Sequence, residues 1–256
     1  MSVRTVTVTD RASFVLAENP GIMTLDGTNT WILREPGATR SVVVDPGPSD
    51  DDHLQAVLAA AGEVGLVLFT HRHLDHTEAL ERLVELTGAP ARSIDPEFSR
   101  GAEPLTDGET IDVDGLSIEV LATPGHTTDS TCFLLGAEAS LLSGDTILGR
   151  GTTVIAHPDG VLGPYLDSLA HVRELVEEGL VERILPGHGP VIGSPAEVVD
   201  FYLEHRAERL DQVRAAVEAG ATTAREVVET VYRDVDESLW GAAELSVAAQ
   251  LDHLRA

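Results

Sequence analysis

Apolar and polar side chains alternate with a period of two through most of the chain and with a helical period at its end. Val6-Thr7-Val8-Thr9, Ser13 to Ala17 and Thr30 to Arg34 alternate as half-buried strands do. Ser41-Val42-Val43-Val44 is a continuous run, which predicts a strand covered on both faces. Helical spacing follows from about Asp51 to Ala61, then an apolar strand from Val64 to Phe69, then a helix from about Glu78 to Leu86. The second half repeats the style, with strands at Thr110 to Val113, Ser117 to Leu121, Ser130 to Leu135 and Ser140 to Leu142. A helix around Tyr165 to Glu177 and a strand around Arg183 to Leu185 complete it. Two strand-rich halves, each with helices to cover one face, predict an α+β chain folded as an αββα four-layer sandwich.

From Ser194 the strand pattern stops. Ser194-Pro195-Ala196-Glu197 supplies a capping residue, a proline for the first turn and an early acid, so a helix is expected to run from there to Ala219. Gly220 ends it, and Thr222 to Tyr232 and Ser238 to Leu254 read as two further helices. The expected division is a sandwich domain over 1–195 and a small helical appendage over 196–256.

Composition narrows the class. With 256 residues and 43% apolar positions the chain can bury a sizeable core. Its 17 basic residues are all Arg and face 43 acids, a net charge of -26 that disfavours nucleic-acid backbones and anionic lipids as partners. No apolar stretch approaches a membrane span, and Met1 to Asp10 alternates instead of forming a signal-peptide core, so a cytoplasmic location without membrane contact is expected. The single cysteine, Cys132, rules out an intramolecular disulfide and a thiolate metal cage, and its apolar neighbours predict a buried thiol.

The segment that carries chemistry is Thr70-His71-Arg72-His73-Leu74-Asp75-His76, directly after a buried strand. If strand geometry persists, residues 71, 73 and 75 share a face, and His76 turns inward as the next helix begins. Four donors on one loop can serve two metals. Imidazoles with a carboxylate suit zinc, and also iron or manganese, and the lack of thiolates argues against a purely structural zinc site. Three weaker signals follow at predicted strand ends: Pro124-Gly125-His126, Ser143-Gly144-Asp145 and Pro186-Gly187-His188. A lone loop histidine is more often a satisfied polar residue than a ligand. Three such placements beside the first cluster point to a common target.

These motifs resemble the metallo-beta-lactamase superfamily at every metal position. That similarity implies a first metal on His71, His73 and His126, a second on Asp75, His76 and His188, and Asp145 bridging both. The Asp75-His76 pair and the carboxylate at 145 resemble the binuclear hydrolases of the superfamily, and His73 stands where the flavo-diiron branch carries Glu. Asn19 to Thr30, Gly144 to Val154, Pro186 to Ile192 and His205-Arg206 are similar to the beta-lactamase-like protein 2 family. There a small winged-helix-like domain follows the catalytic one, and eukaryotic members are endoribonucleases on single-stranded RNA. Two departures weaken the ribonuclease expectation. Ser130 stands where eukaryotic members have His, and the chain ends at Ala256 without a basic hairpin, so the winged-helix-like tail is expected to be wingless. Residues 201 to 256 carry six Arg against eleven acids, which suits a helical cover over the active site or a homodimer contact better than a phosphate grip.

The expected activity is hydrolysis by a binuclear zinc enzyme. Two cations about 3.5–4 Å apart can share a water, lower its pKa to roughly 7 and hold a bridging hydroxide against an ester, thioester, lactone or phosphodiester. Asp75 is the expected catalytic residue, orienting the nucleophile or relaying a proton, and the substrate is expected to be a small molecule, with the metal pair suiting an anionic one. The alternatives are the ribonuclease and a non-catalytic binding protein. Asp45 reads equally well as a support for a ligand histidine or as part of an ordinary Asp-Pro-Gly turn. Asn29, Thr127, Thr128, Thr152, Thr153, His157, Tyr165 and His205 are candidate pocket residues whose simpler reading is local backbone support. Trp31 and Trp240 read as core residues.

Overall fold

The alternation resolves into two sheets in the computed structural model, which describes residues 5–255. The first sheet runs in the order β1 (Thr5–Thr7), β2 (Ala12–Leu16), β3 (Asn29–Leu33), β4 (Arg40–Val44), β5 (Glu63–Leu68), β6 (Ala91–Arg92). Helix α1 (Asp51–Ala61) joins β4 to β5, and α2 (Leu74–Thr77) and α3 (Leu80–Thr87) join β5 to β6. The second sheet contains β7 (Thr110–Val113), β8 (Leu116–Ala122), β9 (Thr131–Leu135), β10 (Ser140–Gly144) and β11 (Arg183–Pro186), in the order β11-β10-β9-β8-β7. Helix α4 (Leu162–Glu177) is the crossover from β10 to β11. The β4–β5, β5–β6 and β10–β11 pairs, each spanning a helical connection, are parallel, and the other pairs are antiparallel.

Period-two alternation assigns each strand to two cores, which makes the four layers. Val42 and Val44 point between the sheets, with Leu66, Leu68, Phe133 and Leu142. Val43 points the other way, onto Leu54 of α1 and Leu83 of α3. In β9, Phe133 and Leu135 join the inter-sheet core while Cys132 and Leu134 meet Tyr165 and Leu169 of α4. All three valines are fully buried, as the continuous run predicts, and each contributes about 1.5–3 kcal/mol by leaving water. Asp in place of Val43 would bury an unpaired charge and break the layer.

The tail is helical throughout. Helix α5 (Pro195–Glu218) places Val199 and Tyr202 in the core beneath the second sheet, and Val213 and Ala216 in a separate small core. That second core is completed by Val227 and Val228 of α6 (Ala224–Val231) and by Val247 and Leu251 of α7 (Trp240–His253). Thr223 and Glu226 form a reciprocal capping box at the start of α6. Ser194 makes no capping bond to α5, so Pro195 in the first turn and the packing of Val199 and Tyr202 hold that end. Among the described residues no strand follows β11, and no helix is long and apolar enough to cross a membrane. Trp31 is buried and donates from Nε1 to the Pro186 carbonyl at 3.0 Å, and the Trp240 Nε1 donates to the Tyr232 and Val235 carbonyls, each at 3.1 Å. Both tryptophans are structural. Strand β6, with two residues, is too short for any periodicity to reveal.

Candidate metal centre

All seven predicted donors converge on one rim of the sandwich, where the strand ends of both sheets meet. His71 and His73 follow β5, His126 follows β8, Asp145 follows β10 and His188 follows β11. One expectation needs correction. Strand geometry does not persist through residue 75: β5 stops at Leu68, His73 immediately precedes α2, and Asp75 and His76 lie within that short helix. Successive helix residues are about 100° apart, so both side chains still reach the cluster. Two glycines permit the close approach. A Cβ at Gly144, whose φ is 48°, would stand 2.6 Å from Thr70, and one at Gly187 would stand 2.7 Å from Asp145 Oδ1.

The donor atoms form two adjoining groups. His71 Nε2 lies 3.0 Å and His126 Nε2 3.1 Å from His73 Nδ1. His188 Nε2 lies 3.2 Å from His76 Nε2 and 3.1 Å from Asp75 Oδ2. Asp145 stands between them, with Oδ1 3.5 Å from His76 Nε2 and Oδ2 3.8 Å from His126 Nε2. These spacings are close to the edge of a tetrahedron, about 3.3 Å for nitrogens about 2.0–2.1 Å from a zinc ion. Buried lone pairs turned towards one point repel unless something positive lies among them. Asp145 Oδ1, buried with no hydrogen-bond partner, states the same demand. The residues present therefore fit a pair of cations.

Outer hydrogen bonds set which nitrogen each ring presents. His126 Nδ1 donates to the Val154 carbonyl at 2.8 Å and His188 Nδ1 to the Gly27 carbonyl at 3.0 Å, leaving both Nε2 lone pairs for the centre. Asp45 governs two more rings. Its carboxylate accepts from the Thr70 amide at 2.8 Å, the Thr70 hydroxyl at 2.7 Å and His76 Nδ1 at 2.9 Å. With its proton committed to Asp45, the Thr70 oxygen is free to accept from His71 Nδ1, 3.1 Å away. Asp45 adopts a left-handed backbone, φ 51°, which Asp tolerates better than most residues. Asp45 thus supports one candidate ligand ring directly and another through Thr70.

Electrostatics divides the cluster. Burial pushes the His71, His73 and His126 imidazoles below their ordinary pKa, keeping them neutral with lone pairs available. Burial opposes charge on His76 and His188 too, but Asp145 and Asp75, with Asp45 for His76, outweigh it. The His76 pKa is raised and that of His188 is pushed up to about 9. Burial likewise opposes ionisation of Asp75 and Asp145, and the neighbouring imidazoles overcome it, holding both below the usual carboxylate range. A place that draws protons this strongly is one where a divalent cation can displace them.

A cavity of about 350 Å³ opens from His126 and Asp145, with walls from the 148–154 loop, helix α5 and the tail. Ile22, Met23 and Leu25 line it together with Tyr232, Val235 and Leu239. Thr152, Thr153 and His205 line it. Thr153 also ties the loop together, its hydroxyl donating to the Asp145 carbonyl at 2.8 Å. Asn29 donates to the carbonyls of Pro186 and Gly189 and so holds the loop of His188, Thr127 bonds locally to Ser130, and Tyr165 donates to the Thr146 carbonyl. Thr128 accepts from Arg72, a residue the motif reading passed over, which points away from the cluster to bond Asp159. Cys132 is buried, and desolvation pushes its thiol up to about 11. Sequence reasoning also missed Arg209 and the 22–25 loop as cavity walls, since no spacing rule links them to the histidines.

The chain is similar to known proteins. Residues 23–188 match the family described as the metallo-beta-lactamase superfamily, and residues 223–256 match the beta-lactamase associated winged helix domain. A beta-lactamase-like protein 2 homolog from Caenorhabditis elegans is 34% identical over 89% of this chain and 78% of its own. An atrochrysone carboxyl ACP thioesterase from Aspergillus fumigatus is 37% identical over 85% of this chain and 72% of its own. A beta-lactamase domain protein from Burkholderia ambifaria superposes with a TM-score of 0.82 at 20% identity, covering 98% of this chain and 87% of that one.

Proposed function

We propose that this chain, which belongs to the metallo-beta-lactamase superfamily and is a metal-dependent hydrolase, cleaves a small-molecule ester, thioester or lactone with the help of two ions. Zinc is the first choice for both, with iron or manganese as alternatives. His71, His73 and His126 would hold one ion, Asp75, His76 and His188 the other, and Asp145 would touch both. The donor groupings and the orphaned Asp145 oxygen support this assignment. When bound, such ions supply Lewis acidity that lowers the pKa of water to about 7.

The chain's own residues do the rest. Asp45 and the Gly27 and Val154 carbonyls lock the rings, so no reorientation is needed during the reaction. Asp75, whose side chain is 28% exposed against 11% for Asp145, is the more accessible of the two carboxylates, while Asp145 lines the cavity. Asp75 orients the attacking water or relays its proton. The sandwich over 1–195 supplies this machinery, and the appendage over 196–256 supplies part of the substrate wall.

The observation that carries the choice of substrate is the cavity, apolar in much of its lining and closed on one side by the tail. Such a shape suits a compact organic substrate more than a polynucleotide. A thioesterase-named relative points the same way. The tail's six Arg against eleven acids between residues 201 and 256 oppose a grip on RNA. Zinc-loaded protein should be assayed against thioester, lactone, nitrophenyl phosphodiester and single-stranded RNA panels. Turnover of thioesters or esters well above RNA cleavage is expected, and efficient RNA cleavage alone would overturn the reading.

A further inference from the structure

In a chain with 43 acids, most of the described arginines find a carboxylate, yet two on the cavity wall do not. Arg206 and Arg209 stand three residues apart on α5, on one face of the helix, and both line the cavity onto which His126 and Asp145 open. Among the described residues neither has a carboxylate oxygen within 4.0 Å, whereas Arg150, on the same cavity, is neutralised by Asp26.

Arg206 is 93% buried by its 7% exposure, and its Nε hydrogen has no partner. One terminal nitrogen donates to the Thr153 carbonyl, and the guanidinium carbon lies 5.1 Å from the centroid of the Tyr165 ring. Those contacts hold the group in place without neutralising it. Arg209 is half-buried, its guanidinium carbon 4.7 Å from the Tyr232 ring centroid, and one nitrogen donates to Gln212 at 2.9 Å. Beside them His205 Nδ1 is buried without a partner. Like charges on one helix face repel each other, and burying one without a counter-charge is costly. An anion in the cavity would relieve both costs.

We propose that Arg206 and Arg209, with His205 beside them, form an oxyanion-binding subsite on the α5 wall. It holds a carboxylate or phosphate group of the substrate while the scissile bond sits at the metal centre. The planar guanidinium fork of Arg209, stacked on Tyr232, is suited to bidentate contact with either group. Arg206 acts from behind as a fixed positive charge. The selected substrate is thus an amphipathic anion, its apolar body against Ile22, Leu25 and Leu239. The subsite rests on the cavity being the substrate cavity, as the hydrolase reading has it.

The test is calorimetric titration of metal-loaded protein with phenylbutyrate, phenylbutyl phosphate and the uncharged phenylbutyramide, in the parent chain and in Arg209→Gln and Arg206→Gln. The parent should prefer at least one anion to the amide. In Arg209→Gln that preference should fall about tenfold, or about 1.4 kcal/mol. Which anion loses more identifies the group as carboxylate or phosphate. Arg206→Gln should act in the same direction, and if that variant fails to fold, Arg209→Gln alone decides. An anion preference unchanged in Arg209→Gln would place the anion on the metals and overturn the subsite. Equal weakening of anions and amide would reduce Arg209 to a packing residue and overturn it as well. Neither outcome depends on turnover, so a protein that binds as described but hydrolyses nothing in the panels would refute the hydrolase chemistry and leave the subsite standing.

Discussion

Asp45 accepts a hydrogen bond from His76 Nδ1 at 2.9 Å, and both side chains are almost wholly buried. The pair fixes the ring so that Nε2 faces Asp75, Asp145 and His188. Asp45→Ala should weaken metal binding about 10- to 100-fold, the usual cost of losing such a support. Competition against a chromophoric chelator measures it, and unchanged affinity would show that His76 is held by packing alone.

Purified protein should carry close to two transition-metal ions per chain, by elemental analysis. Because the ions bind the folded site and relieve repulsion among its buried lone pairs, chelation should lower the thermal midpoint. A free-ion concentration about a thousandfold above Kd is worth about 4 kcal/mol. A saturated, folded sample holding a single ion would show that one of the two donor groups is not a site.

Asp75→Asn should lower turnover by about 100-fold or more, the scale of losing a group that handles a proton, while circular dichroism stays unchanged. Asp75 touches His76 and His188 and not the apolar cores, so chemistry and folding should separate. Near-parental turnover on a cleaved substrate would remove Asp75 from the mechanism.

Tyr202, buried on α5, accepts a hydrogen bond at 2.8 Å from the amide of Leu148, in the loop that walls the cavity. Tyr202→Phe leaves that amide buried and unpaired, at a cost of about 1–3 kcal/mol. Chemical denaturation should register the loss. If stability did not change, the loop would be anchored elsewhere and α5 would be a passive wall.

The amino-acid sequence alone determined the layers and the donors. Alternation in Val42-Val43-Val44 and in Cys132-Phe133-Leu134 assigns neighbouring side chains to opposite faces, because strand geometry is local and has a period of two. Histidines and aspartates after strands are legible for a related reason: a buried strand must end at a rim, and polar donors of both sheets gather there. Tertiary structure decided what depends on contacts between distant segments. Asp45 could be an ordinary turn residue until Thr70 and His76, 25 and 31 residues away, were seen to bond it. Asp75 reached the cluster from a helix and not a strand, because the chain leaves β5 at Leu68 and enters α2 directly after His73. The shared cavity of Ile22 and Leu25 with Tyr232 and Leu239, and the placement of Arg206 and Arg209 on its wall, exist only once α5 and the tail fold back over the rim. No local pattern encodes a wall assembled from residues two hundred positions apart.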